Sequence, residues 1–137
     1  MEQKKQDYYE LLEDTVKFYS EDINRRAILK GTDTCAYRGK NNTKCAVGRW
    51  IADDLYDDDF EFNGVHSLVC ESRFKSIDEI LVEDKQGFNI DFWSKLQDFH
   101  DDSSNWGEAT ITTCGREEIT AIKVWIENRF VAKDKNN

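Results

Sequence analysis

Residues 34–56 read TCAYRGKNNTKCAVGRWIADDLY, and the fold class turns on how this stretch is read. Cys35 to Arg38 runs into Gly39, Lys40, Asn41 and Asn42, and Thr43 to Val47 runs out again. Two short segments thus flank residues that tolerate positive φ, which predicts a β-hairpin over about residues 34–48. Gly48 breaks the second strand. The spacing of Trp50, Ile51, Ala52 and Leu55 then predicts a short helical turn ending in the acidic run from Asp53 to Glu61.

The flanking chain reads as helix. Tyr8, Leu11, Leu12, Thr15, Val16 and Tyr19 recur at helical spacing, and Ile23, Ala27 and Ile28 extend the set toward Gly31, a C-terminal stop. This is one long helix or two consecutive ones, the second capped by Ser20 with Glu21 and Asp22 behind it. Beyond the acidic run, Phe60 to Val69 reads as a loop with a short strand. Ser76-Ile77-Asp78-Glu79 is a capping-box sequence that starts a short helix, which Gln86-Gly87 ends. Asn89 caps the next helix, where Phe92, Trp93, Leu96, Phe99 and His100 share a face. Ile119, Ile122, Trp125, Ile126 and Phe130 mark a final helix beginning near Gly115. The expected class is α+β: one mostly helical domain over residues 1–137, with a small antiparallel hairpin on the helices, an ordered core over about 7–132 and polar tails at both ends.

A chain of 137 residues with four Trp, five Tyr and eight Phe is able to build its own core. No window approaches the roughly 18 to 20 apolar residues of a membrane span, and MEQKKQDYYELLED lacks the apolar centre of a signal peptide. A soluble cytoplasmic protein is expected. In that compartment the four cysteines read as reduced thiols, with zinc or a disulfide as alternatives. Cys35 and Cys45 lack the close pairing of a zinc site, and their facing depends on a hairpin register that the sequence leaves open.

The formal charge of −9 conceals a division. From Arg25 to Trp50 seven cations face one acid, Asp33, a local net of +6 that leaves −15 for the rest of the chain. So acidic a remainder disfavours general nucleic-acid binding, which needs cations spread over a contact face. Within the island, Tyr37, Arg38, Lys40, Lys44 and Arg49 form the candidate binding set. Guanidinium and ammonium groups hold phosphate or carboxylate, and an aromatic ring can stack a base. The competing reading is a solvated face whose cations pair with the protein's own carboxylates, including those of the Asp53–Glu61 run.

Other constellations are thinner. His100-Asp101 resembles the HD pair of metal-dependent phosphohydrolases, but His66 is the only other histidine. The structural reading has the imidazole capping the last carbonyls of its helix while Asp101 fixes its tautomer. Asp59, Glu61, Asn63 and Gly64 open like a calcium loop, yet the twelfth position is Cys70 rather than glutamate. No phosphate loop, nucleophile elbow or triad spacing is present, so neither cofactor nor metal is expected and the chain leans away from catalysis.

Residues of the opening stretch also carry a resemblance. Cys35, Tyr37, Arg38, Gly39, Lys44, Cys45, Ala46, Gly48, Ile51 and Tyr56, followed by Leu96, Gln97, His100, Asp101 and Trp106, match a pattern CxYRGxxGxKCAxGxLIxDxxY with a downstream LQxxHD and tryptophan. The chain resembles a family of small bacterial and phage proteins of uncharacterised function. Asn42 stands at the pattern's turn glycine, a mild change because asparagine enters the left-handed region readily. Trp50 replaces a leucine, and Ala52 a frequent proline. The resemblance implies a phage or mobile-element context, hence a non-catalytic accessory protein that binds and modulates a host or defence component, through a small anionic ligand or an acidic partner patch at the cationic hairpin. Two alternatives stand beside it: an acidic mimic of DNA that inhibits a basic nucleic-acid-binding host protein, and a metal-assisted hydrolase using His100 and Asp101.

Overall fold

The computed structural model describes residues 2–28, 36–61, 63–69, 74–107 and 110–135. Four α-helices, α1 (Lys5–Glu21), α2 (Val65–Leu68), α3 (Ile90–Asp101) and α4 (Thr113–Lys135), are joined by segments rich in single 3-10 turns. The expected α+β class is overturned. Among the described residues there is no strand, sheet or hairpin, only the isolated antiparallel bridges Arg38–Lys44, Ile51–Leu81 and Trp106–Ile111.

The turn itself is where the sequence put it. Asn41 (φ 58°) and Asn42 (φ 62°) both occupy the left-handed region, and Thr43 N–H donates to Lys40 O at 3.2 Å, closing a reversal of type I′ character. Around the Arg38–Lys44 bridge, Gly39 N–H reaches Thr43 O and Cys45 N–H reaches Tyr37 O. The ladder stops there because other groups take its bonds. The Glu61 carboxylate accepts from the backbone N–H of Tyr37 (2.8 Å) and of Arg38 (3.2 Å), and the Gln97 side chain accepts from Val47 N–H (3.2 Å). Val47 is already in the right-handed helical region, leading into the 3-10 turn Gly48–Trp50. A Cβ on Gly48 would stand 1.9 Å from Tyr37 O, so only glycine lets the outgoing segment pass this close to the incoming one.

Helix α1 buries Tyr8, Leu11, Leu12, Thr15 and Tyr19, the face read from the sequence. It ends earlier than the apolar spacing suggested: Asp22 is extended (φ −158°, ψ 104°) and its side chain caps the following turn by accepting from Asn24 N–H. Asp22, not Ser20, is therefore the cap; Gly31 lies outside the described residues. Val65–Leu68, expected as part of a loop with a short strand, is the single helical turn α2. The capping box at Ser76 governs one 3-10 turn, Ile77–Glu79, with Ser76 N–H donating to Glu79. Asn89 caps α3 as expected, accepting from Asp91 N–H at 2.7 Å. Among the described residues no helix is long and apolar enough to cross a membrane.

One continuous apolar cluster runs from Tyr8 to Ile126. Tyr8 sits edge-on to Phe88, Phe92 and Phe130, and Phe92 stacks on Trp125 at 5.8 Å, so rings from α1, α3 and α4 lock the three long helices together. Tyr8 also accepts from Asn89 N–H, tying α1 to the start of α3. At the same end of α1, Tyr9 donates to Glu127 and Lys5 pairs with the same carboxylate at 2.7 Å, which fastens α1 to α4.

Candidate functional site

The segment that carries the candidate residues is held by the end of α3. His100 is fully buried, and burial pushes its imidazole pKa down while the adjacent Asp101 works in the opposite direction. Its Nδ1 faces Asp101 Oδ1 at 2.7 Å and its Nε2 accepts from Ala27 N–H at 3.3 Å, which is the neutral Nδ1–H tautomer. Gln97 donates to the same Asp101 oxygen and accepts from Val47 N–H. Leu96 is fully buried in the apolar core. The downstream LQxxHD residues are thus a clamp on the two chain segments at Ala27 and Val47, and the two halves of the sequence pattern meet in space.

The role expected of His100 needs one correction. Its ring does not cap the last carbonyls of α3; Asn105 and Trp106 donate to Phe99 O, Trp106 also to His100 O, and Arg26 to His100 O at 2.9 Å and Asp101 O at 3.3 Å. The imidazole satisfies a backbone N–H from elsewhere in the chain. With both ring nitrogens engaged inside the protein, His100 has no lone pair to offer a metal ion. Glu61, of the calcium-like run, likewise turns inward to Tyr37, Arg38 and the Tyr56 hydroxyl. Among the described residues no group of three or more His, Cys, Asp or Glu is arranged to hold a metal.

The five candidate binding residues separate into two groups. Tyr37 is buried, its hydroxyl donating to Asn63 O at 2.6 Å, and burial raises its pKa. Its ring is not available to stack a base. Arg38 lies in the same wall: Nη2 donates to Ile51 O at 2.7 Å and pairs with Asp53 at 2.8 Å, and the guanidinium lies 4.7 Å from the Tyr56 ring centre. This is the pairing of island cations with the acidic run that the sequence offered as the competing reading. Lys44 and Arg49 face the other way, into a groove of about 470 Å³ between the end of α1 and the Asn41-Asn42 turn. Lys40 is exposed at the start of that turn.

The groove is built on alternating cations and rings. Arg25 lies over Phe18 at 4.6 Å; Arg49 lies over Phe18 at 3.8 Å and over Trp50 at 4.8 Å; Lys85 covers Trp50 at 4.4 Å. Such stacking fixes the planes of the guanidiniums and restricts the rotamers they would otherwise sample. Arg25 Nη1 also donates to Phe18 O at 2.9 Å and lies 3.5 Å from Glu21. Arg49 Nη1 is 3.1 Å from Asp14 Oδ2, an ion pair without hydrogen-bond alignment. Both carboxylates are about half exposed, at 49% for Glu21 and 51% for Asp14, so each is a solvent-accessible counter-ion that a stronger anion can displace. Among the described residues neither Lys40 nor Lys44 has a carboxylate within ion-pair distance. Lys44 is positioned by its backbone, whose carbonyl accepts from the buried Tyr19 hydroxyl at 2.5 Å.

Arg25, Phe18, Trp50, Asn41 and Asn42 join the site though the candidate set did not include them. The signal for Arg25 was in the charge map, since the cationic island begins there. Phe18 carries no such signal, because at helical spacing it reads only as the flank of an apolar face. Of the cysteines, Cys45 is buried with its thiol pushed up by burial and accepting from Gly48 N–H, and Cys114 is exposed at the start of α4; both are free. Cys35 and Cys70, and with them the pairing question, lie outside the described residues.

No family model matches the chain, and no curated protein and no solved structure matches it either.

Proposed function

We propose that this chain is a non-catalytic binding protein whose recognition surface is the groove at Arg25, Lys44 and Arg49, and that the feature it recognises is anionic. The observation that carries the reading is the stack of Arg25, Phe18, Arg49 and Trp50, which holds two guanidiniums in fixed planes at a solvent-open concavity beside an ammonium without a described counter-ion. A volume of about 470 Å³ falls in the range of small-ligand sites, about 300 to 1,000 Å³. The resemblance to small bacterial and phage proteins supports a host or defence component as the target that is modulated. Tyr37 and Arg38 act in this reading as the wall that sets the turn rather than as contacts.

The test is affinity capture from host lysate with the wild-type chain and with the Arg25→Gln/Lys44→Gln double variant, alongside native and denaturing mass spectra of protein isolated from its host. A partner or a bound mass present with the wild type and lost in the double variant is the expected result. An identical capture profile and identical bound mass in both would remove the groove from the function.

A second reading has its own observation. A groove of about 300 Å³, also bordered by Trp50, has Asp7, Glu10, Asp14 and Asp84 in its lining against one cation, Lys85, which pairs with Asp84; the excess of carboxylates would suit the basic surface of a nucleic-acid-binding protein. A complex of that kind weakens steeply with salt. Binding that is indifferent to salt between 50 and 500 mM would count against it, concentrations set by the roughly 10 Å Debye length at 0.1 M.

A further inference from the structure

Resting on the reading of the groove as an anion site, we infer that its ligand is a small molecule carrying a di- or triphosphate group, recognised by its phosphoryl oxygens and not by any base or carboxylate. Three features of the groove select this chemistry.

The first is competition. Each guanidinium already has a carboxylate of this chain beside it, Glu21 at Arg25 and Asp14 at Arg49. A carboxylate brought by a partner would replace like with like and gain little. A phosphoryl group of higher charge, with several oxygens, displaces a single carboxylate because it satisfies more donors at once. The second feature is the number and direction of donors. Arg25 comes from the turn after α1, Lys44 from beyond the Asn41-Asn42 reversal and Arg49 from the 3-10 turn Gly48–Trp50, so three cations reach one groove from three separate segments. One carboxylate is satisfied by a single planar fork, whereas a tetrahedral, multiply charged group presents oxygens in several directions. Asn41 and Asn42 line the same groove, and the asparagine side chain carries a neutral amide donor.

The third feature argues against a base. Tyr37 is buried, Phe18 carries both Arg25 and Arg49, and Trp50 carries Arg49 and Lys85. The aromatic surfaces at the groove are already engaged by the protein's own cations. A nucleobase would therefore have to displace a cation that the phosphoryl group needs. Asp22 lines the groove too, but its carboxylate is turned to the Asn24 N–H.

The inference is tested by isothermal titration of the full chain, at fixed ionic strength and free of divalent cations, with inorganic tripolyphosphate, ATP and penta-glutamate. Lys44→Gln is the principal variant, since its backbone contact to Tyr19 is untouched and no described ion pair is broken; Lys44→Arg is the charge-restoring control, and thermal melting of each variant checks folding. Tripolyphosphate and ATP are expected to bind within about threefold of each other, and Lys44→Gln to weaken both about tenfold, the effect of losing one hydrogen bond to a charged group, with Lys44→Arg recovering most of it. ATP binding ten times more tightly than tripolyphosphate would overturn the exclusion of the base. Penta-glutamate binding in place of tripolyphosphate, lost in Lys44→Gln, would overturn the phosphoryl assignment while leaving the groove as an acidic-peptide site. Binding of tripolyphosphate unchanged by Lys44→Gln, or no binding of any probe, would also overturn it; the host-capture comparison then decides separately whether the groove is a binding surface at all.

Discussion

Replacing His100 by phenylalanine isolates the clamp that joins the two conspicuous sequence segments. The ring is fully buried, so a phenyl group of similar volume leaves no large cavity, and what is lost is polar. Ala27 N–H loses its only described acceptor in a buried position, which costs about 1–3 kcal/mol. Asp101 loses one donor but keeps Gln97. The variant should therefore unfold at lower urea, with an unchanged m-value if the fold persists. A second signature comes from pH. Burial holds the His100 pKa below its ordinary value, so between that folded value and about 6.5 the unfolded chain binds a proton that the folded chain does not. The stabilisation is complete above about pH 6.5 and falls as pH drops toward the folded pKa, with a limiting slope of about 1.4 kcal/mol per pH unit. Urea melts of both proteins at pH 8.0, 6.5 and 5.5, an interval chosen around the ordinary histidine pKa of about 6.5, give the difference directly. The gap between wild type and variant should be widest at pH 8.0 and narrow at pH 5.5. A gap under about 0.5 kcal/mol at pH 8.0, or one that does not change with pH, would refute the clamp.

Three further outcomes follow from the same packing. Gly48→Ala places a Cβ against the Tyr37 carbonyl, a backbone atom that cannot rotate away, so a loss of at least about 3 kcal/mol, or no folded protein, is expected by urea denaturation; near-wild-type stability would contradict the close approach. Tyr37→Phe removes the bond to Asn63 O and should cost about 1 kcal/mol while leaving tripolyphosphate binding intact, because Tyr37 is wall and not contact; a selective loss of binding with stability unchanged would reverse that assignment. Pulse alkylation followed by peptide mapping should label Cys114 in the native protein and Cys45 only after denaturation, and equal labelling of the two thiols would contradict the buried position of Cys45.

Much of the helical framework was legible along the chain. Tyr8, Leu11, Leu12, Thr15 and Tyr19 declare their face through a 3.6-residue period, and Asn89 declares the start of α3, because both signals depend only on neighbours in sequence. The left-handed pair Asn41-Asn42 was legible for the same reason. The predicted hairpin failed because a strand needs partners that the sequence window does not contain. Glu61 lies well over a dozen residues beyond Tyr37 and Arg38 and takes their N–H groups, and Gln97, from another helix, takes that of Val47. With those bonds spent, the reversal keeps one bridge and no sheet.

The site divides along the same line. Composition alone located the cationic island, since net charge is a sum over residues and needs no geometry. Only the tertiary structure decided that Arg38 is taken up by Ile51 O and Asp53 while Lys44 and Arg49 line a groove, and that Arg25 and Phe18 complete it. The His100-Asp101 pair, conspicuous as a dipeptide, became a backbone clamp because burial and the distant Ala27 N–H set its tautomer. Period and charge are local properties of a chain and could be read from it directly; which donor meets which acceptor depends on segments that only folding brings together.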